Sequence, residues 1–237
     1  MSRLRCDISI SLDGFVAGPT QSEENPLGEG GERLHDWIVP LAAWREAHDK
    51  QGGEVNESAR IVEESRENIG AGVMGRNMFG PIGGGPWHDD EWKGWWGDEP
   101  PYRYHVFVVT HHPRDPVEMQ GGTTYHFATD GIEAALERAK EAAGGKDVML
   151  YGGAQVVNQY LAAGLLDVLE LHVVPLLLGG GARLFDDVGP AVKLEQVRAV
   201  EAPGVTHVKY RVVRGQLLPD ARYITAGRRA ADRPCVV

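Results

Sequence analysis

Apolar and polar positions change their spacing several times along this chain, and each change marks an element. Residues 5–11 alternate with period two, as a strand does, and Asp13-Gly14 follows as a turn. Residues 19–31, rich in Gly, Glu and Pro, read as a loop. Leu34, Trp37, Ile38, Leu41 and Trp44 recur at helical spacing, with Pro40 as an irregularity. Glu57 to Ile69 predicts a second helix, closed by Gly70 and Gly72. Val73-Met74 begins a short buried strand leading into Gly75-Arg76, and residues 80–101 read as loop. His105 to Thr110 is a continuous apolar strand, of the kind buried on both faces. Asp130 with Glu133 predicts a capping box, ahead of a helix whose inner face is Ile132, Ala135, Leu136 and Ala139. Then come a strand at Asp147 to Tyr151, a turn at Gly152-Gly153, a helix at Ala154 to Ala163, and strands at Val168 to Val174 and Val205 to Val213. Helices alternating with apolar strands predict an open α/β sheet covered by helices on both faces. No internal repeat interrupts this order. Residues 218–237 are polar, Arg-rich and aperiodic, and read as a tail.

Composition narrows the partners. A chain of 237 residues can bury a full core. A formal charge of −10 argues against a nucleic-acid backbone or an anionic membrane as main partner. Cys6 and Cys235 lie near opposite ends, with no Cys-x-x-Cys spacing, so a reducing cytoplasm is the expected compartment. The apolar run near Val173 to Leu178 is too short to cross a bilayer, and the first residues do not form a signal peptide.

Three stretches carry chemistry. In Val148-Met149-Leu150-Tyr151-Gly152-Gly153-Ala154-Gln155-Val156 a buried strand ends in two glycines and a helix starts at once. Glycines let a ligand approach the backbone, and free amides at a helix start attract an anion such as pyrophosphate. A tight turn without a ligand fits the same residues. Met74-Gly75-Arg76-Asn77-Met78-Phe79 also follows a buried strand, and Arg76 offers a planar fork suited to phosphate. At the end of the next strand, Thr110, His111, His112 and Arg114 cluster where open α/β sheets bind ligands. Adjacent histidines on an extended chain point apart, so no metal is expected there. Residues 86–96 hold four of the six tryptophans, Trp87 among them, and read equally as a pocket for a flat ring or as a subunit contact.

Taken in order, these stretches resemble the dihydrofolate-reductase-like superfamily, and more narrowly the reductase domain of the bifunctional riboflavin-pathway deaminase-reductases. The likeness runs over about residues 5–213 and includes Ser9-Ile10-Ser11-Leu12-Asp13-Gly14-Phe15-Val16-Ala17, Met74-Gly75-Arg76, Val109-Thr110, Tyr151-Gly152-Gly153-Ala154, Gly164-Leu165-Leu166-Asp167 and Pro175 to Gly181. It implies a three-layer α/β/α sandwich with a mixed, mostly parallel sheet over residues 1–217, and NADPH as cofactor. By that likeness Gly75, Arg76, Asn77, Met78 and Thr110 fall at the adenosine-side phosphates, with His111, His112 and Arg114 beside them. Tyr151, Gly152, Gly153, Ala154, Gln155 and Val156 fall at the pyrophosphate, and Val16 and Ala17 at the nicotinamide. Phe79 and Trp87 are the expected substrate contacts. Asp13 is the candidate catalytic carboxylate, or else a turn residue. The zinc motif of a deaminase domain is absent from the sequence, and residues 19–56 are longer and differently composed than dihydrofolate reductase requires. The expected activity is hydride transfer to a carbonyl or imine of a small pterin-like or ribosyl-pyrimidine-like molecule, by a homodimer. The alternatives are a nucleotide-binding module without turnover and a purely structural oligomer.

Overall fold

The computed structural model describes residues 2–213, apart from residues 47, 49, 84, 88–90, 187 and 191. The predicted tail at 218–237, and Cys235 with it, lies outside the described residues. The elements in chain order are β1 (Leu4–Ser11), β2 (Phe15–Ala17), a 3₁₀ turn (Gly31–His35), α1 (Ala42–Glu46), α2 (Glu57–Arg66), β3 (Ile69–Gly75), α3 (Arg76–Phe79), β4 (His105–Val109), β5 (Val117–Glu118), β6 (Thr124–Ala128), α4 (Ile132–Ala142), β7 (Asp147–Leu150), α5 (Ala154–Ala162), β8 (Val168–Val174), β9 (Ala182–Arg183), β10 (Lys193–Ala202) and β11 (Val205–Val213). A nine-stranded sheet runs β10-β11-β8-β1-β7-β3-β4-β6-β5, and β2 pairs with β9 in a separate ribbon. The pairings from β8 through β1, β7, β3 and β4 to β6 are parallel. Those of β10 with β11, β11 with β8 and β5 with β6 are antiparallel. The sheet is therefore mixed and mostly parallel, as expected.

Alternation along β1 explains the layering. Leu4, Cys6, Ile8 and Ile10 join the core that packs under α4 and α5, with Leu136, Ala139, Val157, Tyr160 and Leu161. The intervening Arg5, Asp7, Ser9 and Ser11 are polar and turn to the opposite face. There Arg5 donates to the carbonyls of Glu67, Glu64 and Ser65 at the end of α2, and Ser9 accepts from Trp37. Leu34, Trp37, Leu41, Ala59 and Val62 cover that face with Val174, Leu176 and Val205.

Several expectations are corrected. The apolar spacing over residues 34–44 marks a buried face but not one helix: the chain makes a 3₁₀ turn to His35, further turns past Pro40, and only then α1. Pro40 has no amide to continue a helical ladder. The second helix ends at Arg66, and Ile69 already belongs to β3. Gly70 and Gly72 are strand residues under close packing rather than helix stops: a Cβ on Gly70 would lie 2.5 Å from the Ala143 carbonyl oxygen, and one on Gly72 would lie 2.8 Å from the Tyr151 ring. Asp130 does not cap α4, whose N-cap is Gly131 with no side-chain bond. Asp130 instead accepts from Arg138 at 2.6 and 3.1 Å. The strands β2, β5, β6, β9 and β10 lie outside the elements that the spacing predicts.

Candidate active site

Because β1, β3, β4 and β7 are parallel neighbours, their C-terminal ends open on one edge, and the loops that follow meet there. A cleft of about 2340 Å³ runs along this edge. Val16, Ala17, Gly75, Arg76, Asn77, Met78, Thr110, His111 and Tyr151 to Val156 line it. Residues expected at the cofactor from four separate stretches are thus brought together.

The glycine turn is held from below. Gly75 at the end of β3 donates to the Gly152 carbonyl at 2.7 Å. A Cβ on Gly75 would meet Val156 Cγ2 at 2.9 Å, so the start of α5 packs directly on that glycine. Gly152 has φ of +104°, a conformation that glycine adopts without a steric penalty, and the Gly152–Gly153 bond is cis. Gly153, by contrast, would place a Cβ in open space, with nothing within 4 Å. It is the N-cap of α5 and makes no side-chain cap bond. The first-turn amides of this helix therefore lack an intrahelical or side-chain acceptor and sit at its positive end. An open glycine beside amides without a partner among the described residues fits a pyrophosphate.

Arg76 lies 3.7 Å from the Trp87 ring centre, and its Nη1 donates to the carbonyls of Gly80 and Pro81. Burial, then repulsion by Arg114, lowers its pKa to about 10. Nε is buried without a partner. Thr110 is buried, and its hydroxyl accepts from the His112 amide at 3.2 Å. His112 and Arg114 do not line the cleft; the guanidinium of Arg114 lies 5.1 Å from Trp87 and 5.4 Å from Phe127. Phe79 and Trp87, expected at the substrate, pack into the aromatic core with Tyr125 and Phe127 and do not line the cleft either. Trp37, Trp44, Trp95 and Trp96 line it instead, with Tyr102, Tyr104 and Tyr151.

Asp13 is committed to a turn. Its carboxylate accepts from Ser11 Oγ at 2.6 Å, the Leu178 amide at 3.1 Å and the Gly179 amide at 2.7 Å. The Ser11 bond most strongly, and those two amides with it, hold its pKa down to about 2. It does not line the cleft. The same turn holds β9 against β2, since Leu184 donates to the Gly14 carbonyl and Arg183 to that of Asp13.

A carboxyl that sequence reasoning passed over does line the cleft. Asp7 sits on β1, and neither of its oxygens has a hydrogen-bond partner or contact with water. The Ser65 hydroxyl nearby is spent on the Val62 carbonyl at 2.9 Å. Burial, and then Glu170 on the paired strand, push the Asp7 pKa up to about 7; Arg5 and Lys209 oppose this. The one signal for it in the sequence is a charged residue at an inward position of a buried strand.

A family model described as the RibD C-terminal domain matches residues 3–208. The chain belongs to that family. An uncharacterized protein, YyaP, of Bacillus subtilis (strain 168) is 34% identical over 85 residues. That match covers 35% of this chain and 45% of YyaP, so it spans less than half of the curated relative. Among solved structures, a putative riboflavin biosynthesis protein from Shewanella sp. PV-4 superposes with a TM-score of 0.60 at 19% identity, covering 90% of this chain and all of that one (100%). Dihydrofolate reductase from Enterococcus faecalis, solved with NADP(H), gives a TM-score of 0.50 at 16% identity over 89% of this chain and 96% of that one. Acinetobacter baumannii RibD gives 0.52 at 16% identity over 90% of this chain and 58% of its own length. These likenesses establish a dihydrofolate-reductase-like fold. Among the described residues no helix is long and apolar enough to cross a membrane, and no cluster of three or more His, Cys, Asp or Glu side chains is placed to hold a metal ion.

Proposed function

We propose that this chain is an NADPH-dependent reductase acting on a carbonyl or imine of a small, flat, pterin-like or ribosyl-pyrimidine-like molecule in the cytoplasm. The observation that carries the reading is the open Gly153 turn at the uncapped start of α5, with Thr110 and Arg76 lining the same cleft. Family membership supports it. The amides of Ala154 to Val156 would hold the pyrophosphate, Arg76 and Thr110 the adenosine-side phosphates, and Val16 and Ala17 the nicotinamide. Bound there, the dihydronicotinamide supplies a hydride. The aromatic wall of Trp37, Tyr102 and Tyr104 would hold a flat ring and exclude water. The reduction also consumes one proton, delivered to the oxygen or nitrogen of the reduced bond. We assign its supply to Asp7, whose carboxyl is protonated below about pH 7 and whose oxygens, covered in the ligand-free protein, would turn to the bound substrate, and give Asp13 the part of a turn anchor. A homodimer belongs to the same reading, since Leu12 and Leu177 stand 67% and 69% exposed.

The test is NADPH oxidation followed by absorbance against a panel of carbonyl and cyclic imine compounds, with thermal shifts by NADPH and NADH measured in parallel. Turnover with at least one compound, and a larger shift by NADPH, is expected. A shift without turnover would make the chain a nucleotide-binding module. No shift by either nucleotide would overturn the reading.

A further inference from the structure

On the β8 side of β1, away from the glycine turn, the cleft wall contains a line of hydrogen-bonded side chains that the cofactor does not need. Ser58 Oγ lies 2.9 Å from His207 Nε2, and His207 Nδ1 lies 2.8 Å from His172 Nδ1. All three residues are buried. The Trp37 ring closes over both imidazoles, at 4.7 Å from His172 and 5.0 Å from His207. Its Nε1 donates to Ser9, the residue paired with His172 across the sheet. His172 lines the cleft, and its remaining nitrogen, Nε2, makes no hydrogen bond among the described residues and is not among their fully covered, unpartnered side-chain atoms.

The line has a direction. A bond between two Nδ1 atoms needs one protonated and one bare nitrogen. Burial keeps both rings neutral. It drives His172 to about 3, with His207, His35 and Arg198 adding repulsion. His207 is lowered by burial and Arg198 against the pull of Glu170 and Glu57. Ser58 is the second residue of the ten-residue helix α2, after the Asn56 cap. At that positive end a hydroxyl oxygen is best turned toward the amides, with its proton pointing away. Ser58 then donates to His207 Nε2, and His207 donates from Nδ1 to His172 Nδ1. The proton of His172 is left on Nε2.

We propose that the His172 Nε2–H is the hydrogen-bond donor that orients the substrate, through an acceptor oxygen on a ring lying against Trp37, and that His207 and Ser58 are positioning residues that fix its tautomer. An N–H in this place selects a carbonyl-bearing ring over one that presents only donors, because a buried donor left unpaired is costly. The proposal rests on the cleft being the substrate site of the reductase.

Its first test needs no substrate. The full chain labelled with ¹⁵N-histidine is examined at pH 7 by long-range ¹H–¹⁵N correlation, the His172 signals being assigned from their loss in His172→Gln. The expected spectrum is that of a neutral ring protonated on Nε2, shifting toward a mixture of tautomers in Ser58→Ala. A ring protonated on Nδ1, or on both nitrogens, would overturn the proposal. With a compound that the reduction assay identifies, His172→Leu should raise its KM tenfold or more and leave NADPH affinity unchanged. His172→Gln, which keeps an N–H at similar reach, should restore KM to within about threefold. A Leu variant with the parental KM would also overturn it. Because the spectrum is read without turnover, failure of the reductase reading and failure of this proposal are seen separately.

Discussion

The backbone amide of Gly179 donates to Asp13 Oδ2 at 2.7 Å, tying the end of β1 to a loop 166 residues away in sequence. Asp13→Asn keeps the size of the side chain but replaces one acceptor oxygen by a donor facing those amides. Turnover in the reduction assay should stay within about twofold, because Asp13 does not line the cleft, while the melting temperature at pH 7 falls. The folded-state pKa of about 2 lies below the ordinary 3.8. The stabilisation is therefore complete above about pH 4 and is lost as pH falls through about 2. Thermal melts of the two proteins should differ at pH 7 and converge near pH 2. A tenfold loss of rate at unchanged stability would restore Asp13 as the catalytic carboxylate.

Asp7 shows the opposite sign. Its pKa is raised, so the folded protein holds a proton there that the unfolded chain releases between about pH 4 and pH 7. This contribution to stability is present below about pH 4 and lost as pH rises to about 7. Asp7→Asn should therefore match the parent at acid pH and be the more stable of the two at pH 8. Its kcat should fall about a hundredfold, in the range of lost acid catalysis, with NADPH affinity unchanged. The parental kcat should decline as pH rises through about 7, and the variant should lack that limb. A pH–rate profile with the limb intact in the variant would remove Asp7 from the chemistry.

The two carboxylates also show how far the sequence could be read. The local features were legible: the period-two run of β1, the apolar run of β4, and the strand, glycine pair and helix at residues 147–163. Each is set by neighbours in sequence. The Asp7 and His172 environments depend instead on the pairing of β1 with β8, Asp7 opposite Glu170 and Ser9 opposite His172, which no local window contains. The edge strand β10 escaped notice because most of its residues are exposed, so its outward and inward positions do not separate into apolar and polar. Phe79 and Trp87 show the converse. Aromatic density marks a packed cluster as readily as a pocket, and the aromatics that line the cleft are Trp37, Trp44, Trp95 and Trp96 with Tyr102, Tyr104 and Tyr151.

Arg76 should decide between the two nicotinamide cofactors. Arg76→Gln removes the charge but keeps an amide that can bond the Gly80 carbonyl. Charge-assisted hydrogen bonds contribute about 1.5–3 kcal/mol, so NADPH affinity should fall by about tenfold or more. NADH affinity should change by less than about threefold. Fluorescence titration of both nucleotides against both proteins checks this. An equal loss for NADH and NADPH would place Arg76 at a phosphate that the two cofactors share.

Gly75 and Gly153 make a matched pair for the pyrophosphate assignment. A methyl group on Gly75 meets Val156 at 2.9 Å, inside the protein, whereas one on Gly153 meets nothing. Gly75→Ala must push the start of α5 away from β3, and overpacking of this kind costs about 1–3 kcal/mol. Its melting temperature should fall even without nucleotide. Gly153→Ala meets no protein atom, and its φ of −63° suits any residue. The apo protein should therefore melt within about 2 °C of the parent, a difference of no more than about 1 kcal/mol for a domain of this size. The added methyl group does stand where the nucleotide's phosphates would approach the first amides of α5. NADPH affinity should fall at least tenfold, and the thermal shift at a fixed NADPH concentration should shrink with it. Parental NADPH binding by a well-folded Gly153→Ala protein would show that the phosphates do not approach the helix start, and would move the cofactor elsewhere in the cleft.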